Sequence, residues 1–147
     1  MKLNELKLEV DYFEFDEKYY HKVNPTPLKN PKLVSFNPLA CDLINLDYSE
    51  CETFDFVDFI NGSKILEGST PFAMAYAGHQ FGYFVPQLGD GRAINLGAVN
   101  NWHLQTKGSG LTRYSRSGDG RAVLRSSIRE YLMSEAMFGL GIPTTRA

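Results

Sequence analysis

The sequence predicts an α+β fold. A helical and irregular N-terminal segment, residues 1–78, precedes an antiparallel sheet with one packed helix over residues 79–147. Three observations predict it. Short runs rich in β-branched and aromatic residues, "FGYFVPQL", "RAINLGAV" and "WHLQTK", follow one another between 81 and 107 with turn chemistry between them. Beyond residue 122 the period changes, and Leu124, Ile128, Tyr131, Leu132 and Ala136 fall on one helical stripe. Between the two lies "KGSGLTRYSRSGDGR", a Gly- and Ser-rich cationic loop with almost no apolar residues.

The elements follow in order. "VNPTPLKNPKL" holds three prolines, which fix φ and remove backbone donors, so an extended, irregular arm is expected. Asn37-Pro38 can start a helix through "LACDLIN", with Asn as N-cap and Pro at N1. Ser49 and Glu52 form a capping-box pattern, opening a helix that should stop at Asn61-Gly62. Thr70-Pro71 repeats the cap-plus-Pro signal, so "FAMAYA" is expected to be helical up to Gly78. Three antiparallel strands follow, with Asp90-Gly91 as a hairpin turn signal and Asn100-Asn101 as a second turn. The last helix, 122–138, ends at Gly139 and Gly141, before Pro143.

With 147 residues, 43% of them hydrophobic, the chain suffices for one ordinary domain with a core. The net charge of −2 is unevenly placed. Residues 107–129 carry Lys107, Arg113, Arg116, Arg121, Arg125 and Arg129 against Asp119 alone, so they total +5 and the remainder −7. Such asymmetry points to an anionic ligand near the C-terminal half. It does not point to nucleic acid, because the whole is acidic and Tyr114 is the only aromatic in the loop. Cys41 and Cys51 match no zinc or C-x-x-C pattern and read as reduced thiols. "MKLNELKLEV" has no apolar core of a signal peptide, and no apolar run approaches a membrane span. A cytoplasmic location is expected, with no membrane partner.

The pentapeptide Gly-Asp-Gly-Arg-Ala occurs at 89–93 and again at 118–122. The repeat suggests two turns of similar shape, each beside an arginine. Glycines let a backbone approach a phosphate, and free N–H groups with Arg bind its oxygens. The first copy reads equally as a plain hairpin turn, the second as a solvated loop. The second also precedes a helix, whose N-terminal dipole favours an anion. Lys107 closes the strand "WHLQTK" on the same face as His103 and Gln105. Glu130 shares its helix face with Val123, Ser127, Ser134 and Met137, none of them charged, so its carboxylate wants a cationic partner. Lys107 and several arginines are candidates. His21, His79 and His103 have no ligand partners at metal spacing.

Strand, Gly-turn, strand, a strand ending in Lys, then a helix bearing Glu is the order of parts in a protein-kinase-like small lobe. "GDGRAINLG" departs from G-x-G-x-x-G, however, and a long basic loop separates Lys from helix.

The strings "NPTPLKNPKLVSFN", "YAGHQFG", "QLGDGRAINLG", "LQTKGSGLTRYSRSGDGRAVLRSSIREYLMSEAM" and "LGIPTTRA" together resemble the N-terminal part of the selenoprotein O, or YdiU, family over residues 15–147. Most members carry Pro or a similar residue where this chain has Arg113. The resemblance implies a kinase-like fold that binds ATP in a flipped orientation. It implies transfer of AMP, not phosphate, to Ser, Thr or Tyr hydroxyls of proteins, with Mg²⁺ or Mn²⁺. Carried over by motif, Gly89, Gly91 and Arg92 would contact the nucleotide and Lys107 its phosphates. Asp119 and Gly120 would line the same ATP site, and Glu130 would pair with Lys107. The cationic loop would fold over the reversed triphosphate. By the same resemblance the catalytic aspartate, the metal-binding Asn and Asp, and two further arginines lie beyond residue 147. No catalytic residue or metal ligand is therefore assigned in this chain, which is expected to be the inactive N-terminal part of a longer enzyme with an incomplete fold. An ordinary phosphotransferase and a non-catalytic, pseudokinase-type nucleotide-binding scaffold are the alternatives.

Overall fold

The computed structural model describes residues 1–147 and is α+β. Five antiparallel strands form one sheet: β1 (Tyr20–Lys22), β2 (Phe72–Gln80), β3 (Tyr83–Gly89), β4 (Ala93–Val99) and β5 (Trp102–Lys107). The order is β1-β2-β4-β5, with β3 also paired to β2. The helices are α1 (Pro38–Leu43), α2 (Phe54–Asn61) and α3 (Leu124–Gly139).

Local signals placed several boundaries. Asn37 caps α1 by accepting from the Leu39 N–H, with Pro38 in its first turn. Gly62, at φ 80°, closes α2 in the left-handed conformation. Asn100 and Asn101, both at positive φ, reverse the chain between Val99 and Trp102. The Ser49 cap fails. Asp47 caps a short 3₁₀ turn at Tyr48–Glu52, and Thr53 Oγ1, accepting from the Phe56 N–H at 3.1 Å, caps α2 four residues later.

The expectation of a helix at "FAMAYA" is overturned: this segment is the first part of β2. It pairs with β1 on one side and with β3 and β4 on the other, so tertiary ladder bonds override the modest helix preference of its alanines. β2 also runs through residue 78, so the N-terminal segment and the following part share a strand. Asp90-Gly91 is not a hairpin turn. β3 and β4 both lie antiparallel to β2 and therefore run in the same direction, and the reversal occurs at Phe81-Gly82, between Gln80 and Tyr83. Residues 90–92 are an interruption in one long run along β2, where Asp90 N–H still donates to Met74 O at 2.9 Å.

The core lies between the start of the chain, α1, α2 and one face of β4. Leu3, Leu6 and Leu8 meet Cys41, Leu46, Cys51, Phe59 and Leu66 against Ile94 and Leu96. "VNPTPLKNPKL" is free of helix and strand, as expected. The residues before it are not a loose arm: Glu9 bridges Ala98 through two backbone hydrogen bonds.

The last helix exists where its periodicity places it, but it is not packed flat on the sheet. Ser134 is its only buried residue, and Leu124, Ile128 and Leu132 of the apolar stripe are exposed. The cationic loop, rather than α3, lies against the β3–β4 junction. No helix is long and apolar enough to cross a membrane.

Candidate functional site

The site is built on the interruption between β3 and β4. Asp90 is buried there, and its Oδ2 accepts from the Met74 N–H and from Asn95 Nδ2, both at 3.0 Å. Asn95 Oδ1 in turn accepts from Gln105 Nε2 at 3.1 Å, tying β5 into the same network. Burial pushes the Asp90 carboxyl above the usual range, against the pull of these donors and of Lys107. The chain therefore fixes the shape of the Gly89–Arg92 stretch from beneath.

The cationic loop fixes it from above. Thr112 Oγ1 donates to Asp90 O and Ser115 Oγ to Gly91 O, each at 2.6 Å. The Tyr114 ring lies so close over Gly89 that a Cβ there would sit 2.4 Å from it. A Cβ on Gly91 would come 2.9 Å from Tyr114 O. These glycines are thus demanded by the approach of the protein's own loop.

The second Gly-Asp-Gly-Arg copy has a different shape, contrary to the symmetry of the repeat. Gly120 is at φ 71° and stacks on the Gly110 backbone, whereas Gly91 lies outside the left-handed region. Asp119 Oδ1 is exposed and accepts from the Arg121 N–H at 2.9 Å. Arg121 itself is structural: its guanidinium donates to Thr26 O and Gly108 O. The pentapeptide is one string used twice, once as a buried strand junction and once as a surface turn.

Between loop and sheet opens a cavity of about 750 Å³. Gly89, Gly91, Arg92, Lys107, Asp119 and Gly120 all line it. Glu130 reaches its edge through Lys107, whose Nζ stands 2.5 Å from Glu130 Oε2. That contact holds the Glu130 carboxyl below the ordinary range, with the fields of Arg92 and Arg129 assisting. Arg92, Arg113 and Arg116 also line the cavity, and none of them forms an ion pair with a carboxylate.

Chemically, such an arrangement suits a multiply charged anion: one lysine oriented by a carboxylate and three arginines without anionic partners. The arrangement does not suit a bare divalent cation. No three His, Cys, Asp or Glu side chains gather into a ligand set, Asp90 is occupied by its strand partners, and Asp119 caps its own chain.

Sequence reasoning missed Asp90, Thr112 and Ser115. A hydroxyl three residues from another within a basic loop carries no distinctive signal. Asp90 did carry one, as the acid in the repeated pentapeptide, but its turn chemistry masked it.

The sequence profile of the family described as protein adenylyltransferase SelO matches residues 2–147. Among curated proteins, the protein nucleotidyltransferase YdiU of Thiobacillus denitrificans is 51% identical over 150 residues, covering 99% of this chain and 31% of the relative. The protein of the same name from Myxococcus xanthus is 52% identical over 149 residues, covering 98% and 30%. That from Azoarcus is 53% identical over 133 residues, covering 87% and 26%. The chain thus spans about a third of the length of these relatives.

Proposed function

Since this chain belongs to the SelO family of protein adenylyltransferases, we propose that it forms the ATP-binding part of an enzyme that transfers AMP to Ser, Thr or Tyr hydroxyls of proteins. The observation that carries this reading is the cavity between the basic loop and the β3–β4 junction. Lys107, set by Glu130, shares it with Arg92, Arg113 and Arg116, and no carboxylate pairs with those arginines.

In this reading Lys107 and Arg92 hold the triphosphate from the sheet side, while Arg113 and Arg116 hold it from the loop side. Gly89 and Gly91 keep the two walls close, and Asp119 with Gly120 shapes the rim. The nucleotide lies so that β- and γ-phosphates enter the cationic wall as a leaving pyrophosphate. The α-phosphorus then meets the acceptor hydroxyl: the new bond is P–O to that hydroxyl, the broken bond is the α–β bridge, and the hydroxyl proton goes to a base outside these residues. Mg²⁺ or Mn²⁺ would screen the charge, held by ligands other than those of this chain. The kinase-like small lobe is part of the same proposal, supported by the strand–Lys and helix–Glu pairing. A cytoplasmic setting suits the two buried free thiols, Cys41 and Cys51.

Calorimetric titration of the intact protein with ATP tests the site. Binding should be saturable in the wild type and weakened at least about tenfold in Lys107→Ala, as expected for one charge-assisted contact. Equal affinity in both would remove the cavity from consideration.

A further inference from the structure

α3 is tied to the rest of the chain at a second point, away from the cavity. Gly141, at φ 73°, turns the chain at the end of the helix, and Ile142 N–H donates back to Met137 O at 3.0 Å. The next residues return alongside α3, so that Arg146 reaches Glu135, eleven residues earlier. Their contact is bidentate: Arg146 Nε donates to Glu135 Oε1 and Nη2 to Oε2, each at 2.7 Å. The guanidinium carbon also lies 3.6 Å from the centre of the Phe138 ring. The Arg146 side chain is only 4% exposed, whereas the cations of the other four ion pairs are at least 32% exposed.

Burial and the two-pronged geometry make this a directional joint and not a solvated surface pair. Asn37 fastens the joint to the N-terminal core. Its Oδ1 caps α1, and its Nδ2 donates to Ala147 O at 3.0 Å. α1 in turn carries Cys41 into the core.

Glu130 and Glu135 are five residues apart, so they stand about 7.5 Å apart along the helix axis and about 140° apart around it. They project from different sides of α3. A single flexible ion pair, such as Lys107–Glu130, leaves a helix free to turn about its axis. With side-chain heads about 6 Å from the axis, a turn of about 30° carries Glu130 roughly 3 Å. That displacement breaks a hydrogen-bonded contact. A second joint on another side blocks the turn.

We propose that Arg146 is a positioning residue for the nucleotide site: by gripping Glu135 it fixes the rotation of α3, and through Glu130 it fixes Lys107 against the cavity. Neither Arg146 nor Glu135 lines the cavity. The inference rests on the reading above in which Lys107 holds phosphate.

A double-mutant cycle on the intact protein, read by calorimetric titration with ATP, tests it. Arg146→Lys keeps the charge but not the planar fork. It should weaken ATP binding about fivefold in the wild-type background, and by less than about twofold in Glu130→Gln, where Lys107 is already released. Glu135→Gln, which keeps the shape of the side chain, should show the same dependence on Glu130, and it replaces Arg146→Lys if that variant folds poorly. A purely structural role would weaken both backgrounds by the same factor. That result, or unchanged affinity in the single variants, would overturn the proposal. Lys107→Ala separates the two claims. If it loses affinity while the cycle is additive, the phosphate site stands and the role of Arg146 falls. If it binds ATP as tightly as wild type, both fall.

Discussion

Lys107 Nζ and Glu130 Oε2 stand 2.5 Å apart, joining the end of β5 to the middle of α3. Both side chains are about half exposed, so the pair itself adds less than about 1 kcal/mol to stability. Its role is orientation, because α3 has little other hold on the sheet.

Glu130→Gln should therefore unfold at nearly the same denaturant concentration as the wild type, yet bind ATP about tenfold more weakly once Lys107 is released. The pH dependence has a definite sign. A carboxyl held below its ordinary value keeps its partner through the usual Glu range, near pH 4.3 or so, and loses it only as pH falls through the lowered value. The wild-type advantage over Glu130→Gln should persist through that range and vanish below it. Titrations of both proteins at a series of pH values check this.

Asp90 gives the opposite sign. Its carboxyl is raised by burial, so its contribution to stability is complete below the ordinary Asp range and is lost as pH rises through the raised value. Asp90→Asn keeps an acceptor for Met74 N–H without the buried charge, and should be at least as stable as wild type at neutral pH. Asp90→Ala leaves Met74 N–H and Asn95 Nδ2 without their acceptor and should cost about 2 kcal/mol. Urea unfolding curves at neutral pH and at pH below the Asp range separate the two.

The Tyr114–Gly89 contact predicts a third outcome. A methyl at residue 89 would collide with the ring, so Gly89→Ala should lift the loop from the sheet. Trypsin should then cleave after Arg113 or Arg116 sooner than in wild type, and ATP affinity should fall in parallel. Unchanged cleavage would mean that the loop is held by Thr112 and Ser115 alone.

Much of this arrangement was legible in the sequence where local chemistry decides the outcome. Asn37-Pro38 fixed the start of α1, the two asparagines fixed the β4–β5 turn, and the stripe from Leu124 gave α3. The six expected nucleotide residues all reach one cavity, and Glu130 takes Lys107 from among its candidate cationic partners. What the sequence hid depends on contacts across long separations. Residues 72–77 have the composition of either element, and only their neighbours on β1, β3 and β4 make them a strand. Asp90-Gly91 has the chemistry of a hairpin turn, but β2 continues past it and keeps the chain extended. Leu3, Leu6 and Leu8 follow no long periodic run, so their place at the centre of the core could not be read from spacing.

The proposed reaction turns on which phosphorus meets the acceptor. Intact protein is incubated with a protein substrate and ATP labelled at either the α- or the γ-position. Transfer of α-label to protein, without γ-label, and its loss in Lys107→Ala are the predicted results. Transfer of γ-label would make this a phosphotransferase and contradict the placement of β- and γ-phosphates against the basic loop.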